Sequence, residues 1–68
     1  MKEIIFIIEE APEGGFNARA LGASIFTEAE DIANLYAQIR DAVLCHFDEG
    51  EAPSIIRLQF VREEVIAL

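Results

Sequence analysis

The chain has little of what usually holds a very small domain together. Its 68 residues include one cysteine, one histidine and no tryptophan. The single cysteine, Cys45, excludes an internal disulfide, and no cluster of histidines and cysteines has the spacing of a metal site. Domains of this size often rely on a disulfide, a metal or association with another chain. Association is the device that remains, so we expect a homodimer or a larger homo-oligomer.

Long hydrophobic runs and positive charge are also missing. No apolar run reaches the ~18 residues of a membrane span, and the start lacks a signal-peptide pattern. We therefore expect a cytoplasmic protein with no membrane partner. Five basic residues against 13 acidic ones give a formal net charge of -8. That charge repels nucleic-acid phosphates and attracts basic proteins, so we expect no direct nucleic-acid partner. The acids also have a simpler explanation, which is that they keep the protein in solution.

The most informative segment present is the apolar run over residues 4–8. In a strand, Ile4, Phe6 and Ile8 lie on one side, and Ile5 and Ile7 lie on the other. A strand that is apolar on both sides usually lies inside a sheet with both faces covered. A chain this short has room for one good helix, which covers one face, so the second face calls for another chain.

The remaining pattern predicts a single α+β domain over residues 1–68. A turn at residues 11–15 joins the first strand to an alternating strand at 16–20, and a short third strand follows at 24–26. Thr27 and Glu30 have the spacing of a capping box, which predicts a helix from residue 28 to about 47. A last strand follows at 54–61. The elements run β-β-β-α-β, and a helical crossover makes the last strand parallel to the first. We expect a four-stranded mixed sheet in the order 3-2-1-4.

The apolar spacing of the helix indicates which residues form the core. We expect Tyr36 within the buried stripe and Cys45 partly buried, with His46 near the negative end of the helix dipole. The helix is expected to cover the apolar side chains on one face of the sheet, which are Ile4, Phe6, Ile8, Phe16, Ala18, Ala20, Ile56, Leu58 and Phe60.

The other face of the sheet is the predicted interaction surface. Ile5 and Ile7 are expected there among polar neighbours, an arrangement typical of an interface. The interface candidates are Ile5, Ile7, Arg19 and Arg57, with Glu63 and Glu64 as secondary candidates. The alternative is that two isoleucines on this face are ordinary exposed surface. Residues 65–68 either continue the last strand past a bend or dock on a neighbouring chain.

Several segments together resemble the HicB-like antitoxin family, whose domain is a truncated ribonuclease H fold. They are the opening strand at residues 4–8, the turn and aromatic at 12–16, the Phe26–Thr27–Glu28 run before the helix, and the closing run at 56–66. The resemblance implies that the chain binds and neutralises a small basic toxin that cleaves messenger RNA. Many members carry a DNA-binding segment after this domain. The sequence has none up to Leu68, so we do not expect that activity here.

Catalysis is not expected. An active ribonuclease H site needs a carboxylate in the middle of the first strand, and residues 4–8 contain none. Cys45 and His46 are adjacent, so their side chains diverge on a helix and do not form a nucleophile–base pair. We expect no cofactor and no metal. Two alternatives remain open, namely a self-associating protein without a toxin partner and, less favoured, a small hydrolase using Asp41 or His46.

Overall fold

A computed structural model describes residues 2–68 of the chain. The elements are β1 (Glu3–Glu10), β2 (Phe16–Ala20), β3 (Phe26–Ala29), α1 (Ile32–His46) and β4 (Ile55–Phe60). The strands form one sheet in the order β3-β2-β1-β4, in which β1 pairs antiparallel with β2 and parallel with β4. The predicted α+β fold and strand order are confirmed, and β1 lies between two neighbours.

The alternation along β1 builds the core. Ile4, Phe6 and Ile8 are buried, whereas Ile5 and Ile7 are half-buried on the opposite face. The helix contributes three buried side chains one turn apart, which are Leu35, Ile39 and Val43. These two sets, with Ala18 and Ile25, form one hydrophobic cluster. Burying apolar area of this kind is the main favourable term in folding.

The helix begins later than the sequence predicts. Thr27 lies within β3, and the cap is Asp31, whose side chain accepts hydrogen bonds from the Asn34 backbone N–H at 2.8 Å and from the Asn34 amide at 2.9 Å. The predicted capping box of Thr27 and Glu30 is therefore wrong. The pairing of β3 with β2 takes Thr27 into the sheet, where it lies opposite Ala18, and Glu30 follows the end of the strand.

The predicted turn between β1 and β2 is confirmed, and Gly15 in it has a second role. Its φ is 82°, a left-handed conformation that glycine adopts without strain. A Cβ atom at this position would lie 2.8 Å from the carbonyl oxygen of Ala29, at the end of β3. The missing side chain thus lets the turn approach the edge strand closely.

The helix does not cover the whole sheet. Its backbone comes closest to β3 and β2, at the opposite edge from β4. Ile56 and Leu58 are only half-buried beside the core, and Phe60 is 54% exposed. Tyr36 is 47% exposed and Cys45 is also exposed, so the predicted burial of both side chains is wrong. The buried helix residues keep the predicted spacing, but Tyr36 lines a groove between the helix and β4 and is exposed there.

The segment at residues 61–68, called the tail below, continues from β4 without forming a strand. Val61 donates its backbone N–H to the Ile8 carbonyl at 2.8 Å, which is the last bond joining the chain to the sheet. All tail residues are exposed, including Val65 and Ile66. Within residues 2–68, the helix lacks the length and apolar character that crossing a bilayer requires.

Candidate functional site

The face of the sheet away from α1, called the open face below, brings together four of the predicted interface residues. The strand registers place Ile5 beside Arg57 on β4, and Ile7 between Gln59 on β4 and Arg19 on β2. Because alternate side chains of a strand share a face, all of these side chains lie on one surface. Ile5 and Ile7 form its centre.

Two ion pairs frame this centre. The Arg57 guanidinium donates to the Glu3 carboxylate through Nε and, at 3.3 Å, through Nη2. Arg19 Nε lies 3.7 Å from Glu9 Oε1. The Glu3–Arg57 hydrogen bond holds the pKa of the Glu3 carboxyl below its ordinary value and raises that of Arg57. The two arginines are thus matched by two carboxylates, and these four groups sum to no net charge.

The apolar part of the open face is wider than the sequence predicts. Phe26 lies opposite Arg19, Ile55 lies opposite Glu3, and Leu21 donates its backbone N–H to the Ile5 carbonyl at 2.9 Å. All three side chains are exposed. The sequence predicts a strand that includes Phe26, but the face on which its ring lies depends on the register between β2 and β3. The open-face patch comprises Ile5, Ile7, Leu21, Phe26 and Ile55.

The structure places Glu63 and Glu64 away from that patch. They line a hollow of about 600 Å³ at the end of β1, together with Glu9, Glu10 and Pro12. Arg62 Nη2 lies 2.7 Å from Glu64 Oε1, so one of the four carboxylates has a nearby cation from the tail itself. This acidic hollow adjoins the open face at Glu9. The sequence pattern does not indicate that Glu9 and Glu10 lie beside the tail.

A second apolar surface lies on the helix side of β4 and was also missed. It is a groove of about 360 Å³ between α1 and β4, called the flank groove below, lined by Tyr36, Ile39, Arg40, Ile56 and Leu58. It exists because the helix, on the same face of the sheet, lies nearer the β3 edge than the β4 edge. The exposed ring of Phe60 continues it along the strand.

The residues considered for catalysis do not converge. Cys45 and His46 are exposed neighbours at the end of α1, and His46 packs edge-on against Phe47 with ring centroids 5.0 Å apart. Asp41 is exposed on the same helix. Over residues 2–68, no three histidine, cysteine or acidic side chains are grouped so as to hold a metal ion. The arrangement presents two apolar surfaces and one acidic hollow.

Two curated proteins are similar to this chain. A UPF0150 protein from Archaeoglobus fulgidus is 50% identical over 52 residues, which cover 76% of this chain and 77% of the relative. A UPF0150 protein from Thermotoga maritima is 43% identical over 67 residues, covering 98% and 94% respectively. No protein-family model and no solved structure matches the chain.

Proposed function

We propose that this chain, which belongs to the UPF0150 family, is a non-catalytic protein-binding module of the HicB antitoxin type. It acts by covering a small basic toxin that cleaves messenger RNA. Such a partner acts where messenger RNA is translated, so the proposal includes a cytoplasmic location. The chain contributes a surface and no reacting group.

The open-face patch is the observation that carries this proposal. Its centre, Ile5 and Ile7, is apolar and half-buried, and it is bordered by charged side chains. Specific interfaces commonly combine a desolvated apolar centre with a polar rim. The exposed rings and aliphatic groups of Phe26, Leu21 and Ile55 enlarge the apolar area that a partner would remove from water.

Charge outside the patch supports a basic partner. The chain has a net charge of -8, and four carboxylates line the hollow that adjoins the open face at Glu9. A field of one sign raises the rate at which an oppositely charged protein reaches its binding surface, and salt screens it. We expect association with a basic partner to slow as ionic strength rises.

The test measures neutralisation directly. The small basic ribonuclease that the proposal requires is sought beside this chain's gene and purified. Its cleavage of messenger RNA is then followed with and without the chain. We expect inhibition at equal molar amounts, and we expect Ile7→Asp to weaken it at least tenfold by burying an unpaired carboxylate. Leu44→Asp is the control, since Leu44 is exposed on the helix away from the open face. Full cleavage in the presence of the chain contradicts the proposal, and so does equal inhibition by both variants.

Self-association through the open face is the second candidate. It is favoured by the charge balance of that face, where Glu3 matches Arg57 and Glu9 matches Arg19. The ion-paired groups of this patch add no net charge to the contact, and a two-fold dimer uses the same patch on both copies. Light scattering at micromolar concentration tests this candidate. We expect a dimer whose mass falls to that of one chain in Ile7→Asp, whereas a monomeric wild-type chain excludes it.

A further inference from the structure

The flank groove leaves two kinds of group without partners. Ile56 and Leu58 are half-buried and Tyr36 is exposed, so apolar surface faces water between α1 and β4. The strand order ends at β4, so one side of this strand has no hydrogen-bonded neighbour within residues 2–68. An unpaired strand edge beside apolar side chains is a template for one more strand.

The tail has the properties of that strand. Its residues, 61–68, are exposed and form no element of their own, and Val65 and Ile66 are 86% and 84% exposed. The tail has eight residues and β4 has six, so their lengths suit side-by-side pairing. Two adjacent aliphatic side chains this exposed are a cost in water that pairing with an apolar surface would remove.

The tail has little reason to fold back on its own sheet. Glu9 and Glu10 line the same hollow as Glu63 and Glu64, so four carboxylates already lie around the point where the tail leaves β4. Glu9 and Glu64 have Arg19 and Arg62 nearby, whereas among the described residues Glu10 and Glu63 have no cation within ion-pair distance. Repulsion between these two carboxylates opposes a tighter approach. The flank groove, in contrast, contains a cation, Arg40. Among the described residues, Arg40 has no carboxylate within ion-pair distance.

We infer that the tail of one copy adds to the free edge of β4 in a second copy, and that the exchange is reciprocal. In antiparallel pairing about a two-fold axis at Val61, a residue after Val61 in one copy lies opposite the residue that precedes Val61 by the same number of positions in the other copy. Ile66 then lies opposite Ile56, and Glu64 lies opposite Leu58. If the tail keeps the alternation of β4, Ile66 and Glu64 face the flank groove and Val65 faces the other side.

The charges fit this arrangement. Glu64 enters the groove beside Arg40 and exchanges its contact with Arg62 for one with the second copy's guanidinium. Ile66 packs on Ile56 and Tyr36. This surface lies on the other side of the sheet from the open-face patch, so the tail exchange does not depend on the proposed function.

Val65 and Ile66 provide a matched pair for the first test, because they are neighbours of similar size and similar exposure. Sedimentation equilibrium of the full chain at micromolar concentration is expected to give twice the mass of one chain. Ile66→Asp should raise the dissociation constant at least tenfold, while Val65→Asp should change it less than threefold. Circular dichroism of each variant checks that the monomer remains folded. Equal effects of the two substitutions contradict the pairing about Val61.

A charge exchange tests the proposed ion pair. Arg40→Glu and Glu64→Lys should each weaken the dimer about threefold to tenfold, and the double variant should recover most of the loss. Glu63→Lys is the control for Glu64→Lys, because residue 63 faces the other side in this pairing. No recovery in the double variant contradicts contact between Arg40 and Glu64.

The outcomes separate this inference from the open-face proposals. A wild-type chain that sediments as a monomer at 100 micromolar, or a dimer that Ile7→Asp dissociates and Ile66→Asp does not, overturns the tail exchange. A dimer that only the tail variants dissociate supports it. Toxin neutralisation that survives Ile66→Asp leaves the proposed function standing, whichever result the tail variants give.

Discussion

The two edges of the sheet differ in how they are covered. At the β3 edge the helix backbone approaches the sheet closely, and Ala18 and Ile25 are buried beneath it. At the β4 edge the same face carries Ile56, Leu58 and Phe60, of which the first two are half-buried and the third is exposed. The apolar side chains are therefore buried near the β3 edge and partly exposed to water at the β4 edge.

The dimensions of helices and strands explain the difference. A helix with its side chains is about 10–12 Å wide, whereas four strands at about 4.8 Å spacing span roughly 15–19 Å. One helix therefore covers two or three strands of a four-stranded sheet. Since α1 follows β3 after a short connection, it lies nearest that edge, and β4 remains uncovered. A domain with one helix is left with an apolar strip on the same face as its core.

The largest expected effect comes from comparing a phenylalanine in the core with a phenylalanine at the β4 edge. Phe6 is 0% exposed in the core, so Phe6→Ala should lower the free energy of unfolding by about 3–5 kcal/mol. Phe60→Ala, at the uncovered edge, should lower it by less than about 1 kcal/mol when the chain is dilute. Urea unfolding of both variants gives the comparison. Similar losses would mean that the β4 edge is as well packed as the core.

The next effect concerns the close approach of the β1–β2 turn to the β3 edge. Gly15→Ala puts a Cβ atom 2.8 Å from the Ala29 carbonyl oxygen and also disfavours the positive φ. We expect a loss of about 1–3 kcal/mol in unfolding free energy. Gly14→Ala is the control, because its φ is also positive but its Cβ would meet no atom. A smaller loss for Gly15→Ala than for Gly14→Ala contradicts this role.

A smaller effect locates the start of the helix. Asp31→Ala removes the side chain that accepts two hydrogen bonds from Asn34, so we expect a loss of about 1 kcal/mol. Glu30→Ala should change the unfolding free energy by less than about 0.5 kcal/mol, because Glu30 is exposed outside the helix. Thermal unfolding of both variants measures this. A larger loss for Glu30→Ala than for Asp31→Ala would support the capping box at Thr27 and Glu30.

The smallest effect is the pH dependence from the open face. The pKa of Glu3 is lowered in the folded chain by its hydrogen bond to Arg57. Because the pKa of Glu3 is lowered by folding, the stabilisation from its pairing with Arg57 is present above the pKa of the unfolded chain, near 4.5. That stabilisation is lost as pH falls through the pKa of the folded chain. Glu3→Gln should therefore destabilise the chain slightly at pH 7 and not at pH 2. A difference that persists at pH 2 contradicts a charge-dependent contribution.

The number of strands and their order could be predicted from local pattern, but the third strand lies at Phe26–Ala29, later than the predicted 24–26. The run from Ile4 to Ile8 is apolar on both sides, which requires a central position, and the connections leave few ways to arrange the other strands. The candidate surface followed from the same parity argument, since Ile5 and Ile7 alternate with Phe6. These inferences need only the two-residue period of a strand and the direction of each connection.

The errors have a different physical origin. Thr27 and Glu30 satisfy the capping-box spacing, but pairing of Thr27 with Ala18 competes for the same residues and prevails. Tyr36 satisfies the helical spacing, yet its burial depends on how far the helix is displaced across the sheet. Both depend on contacts between distant segments, which periodicity does not encode. The path of residues 61–68 also depends on contacts with distant segments, so the spacing of apolar residues does not predict it.

The parallel neighbour of β1 comes from far along the chain. Ser54 Oγ donates to the Lys2 carbonyl across 52 residues of sequence, and Glu3 meets Arg57 across 54. During synthesis, the apolar strand β1 therefore leaves the ribosome before β4 has been made and can pair with it. Closing so long a loop is slow, and an unflanked strand invites aggregation meanwhile. We expect a fragment ending before residue 54 to need a chaperone to stay dispersed.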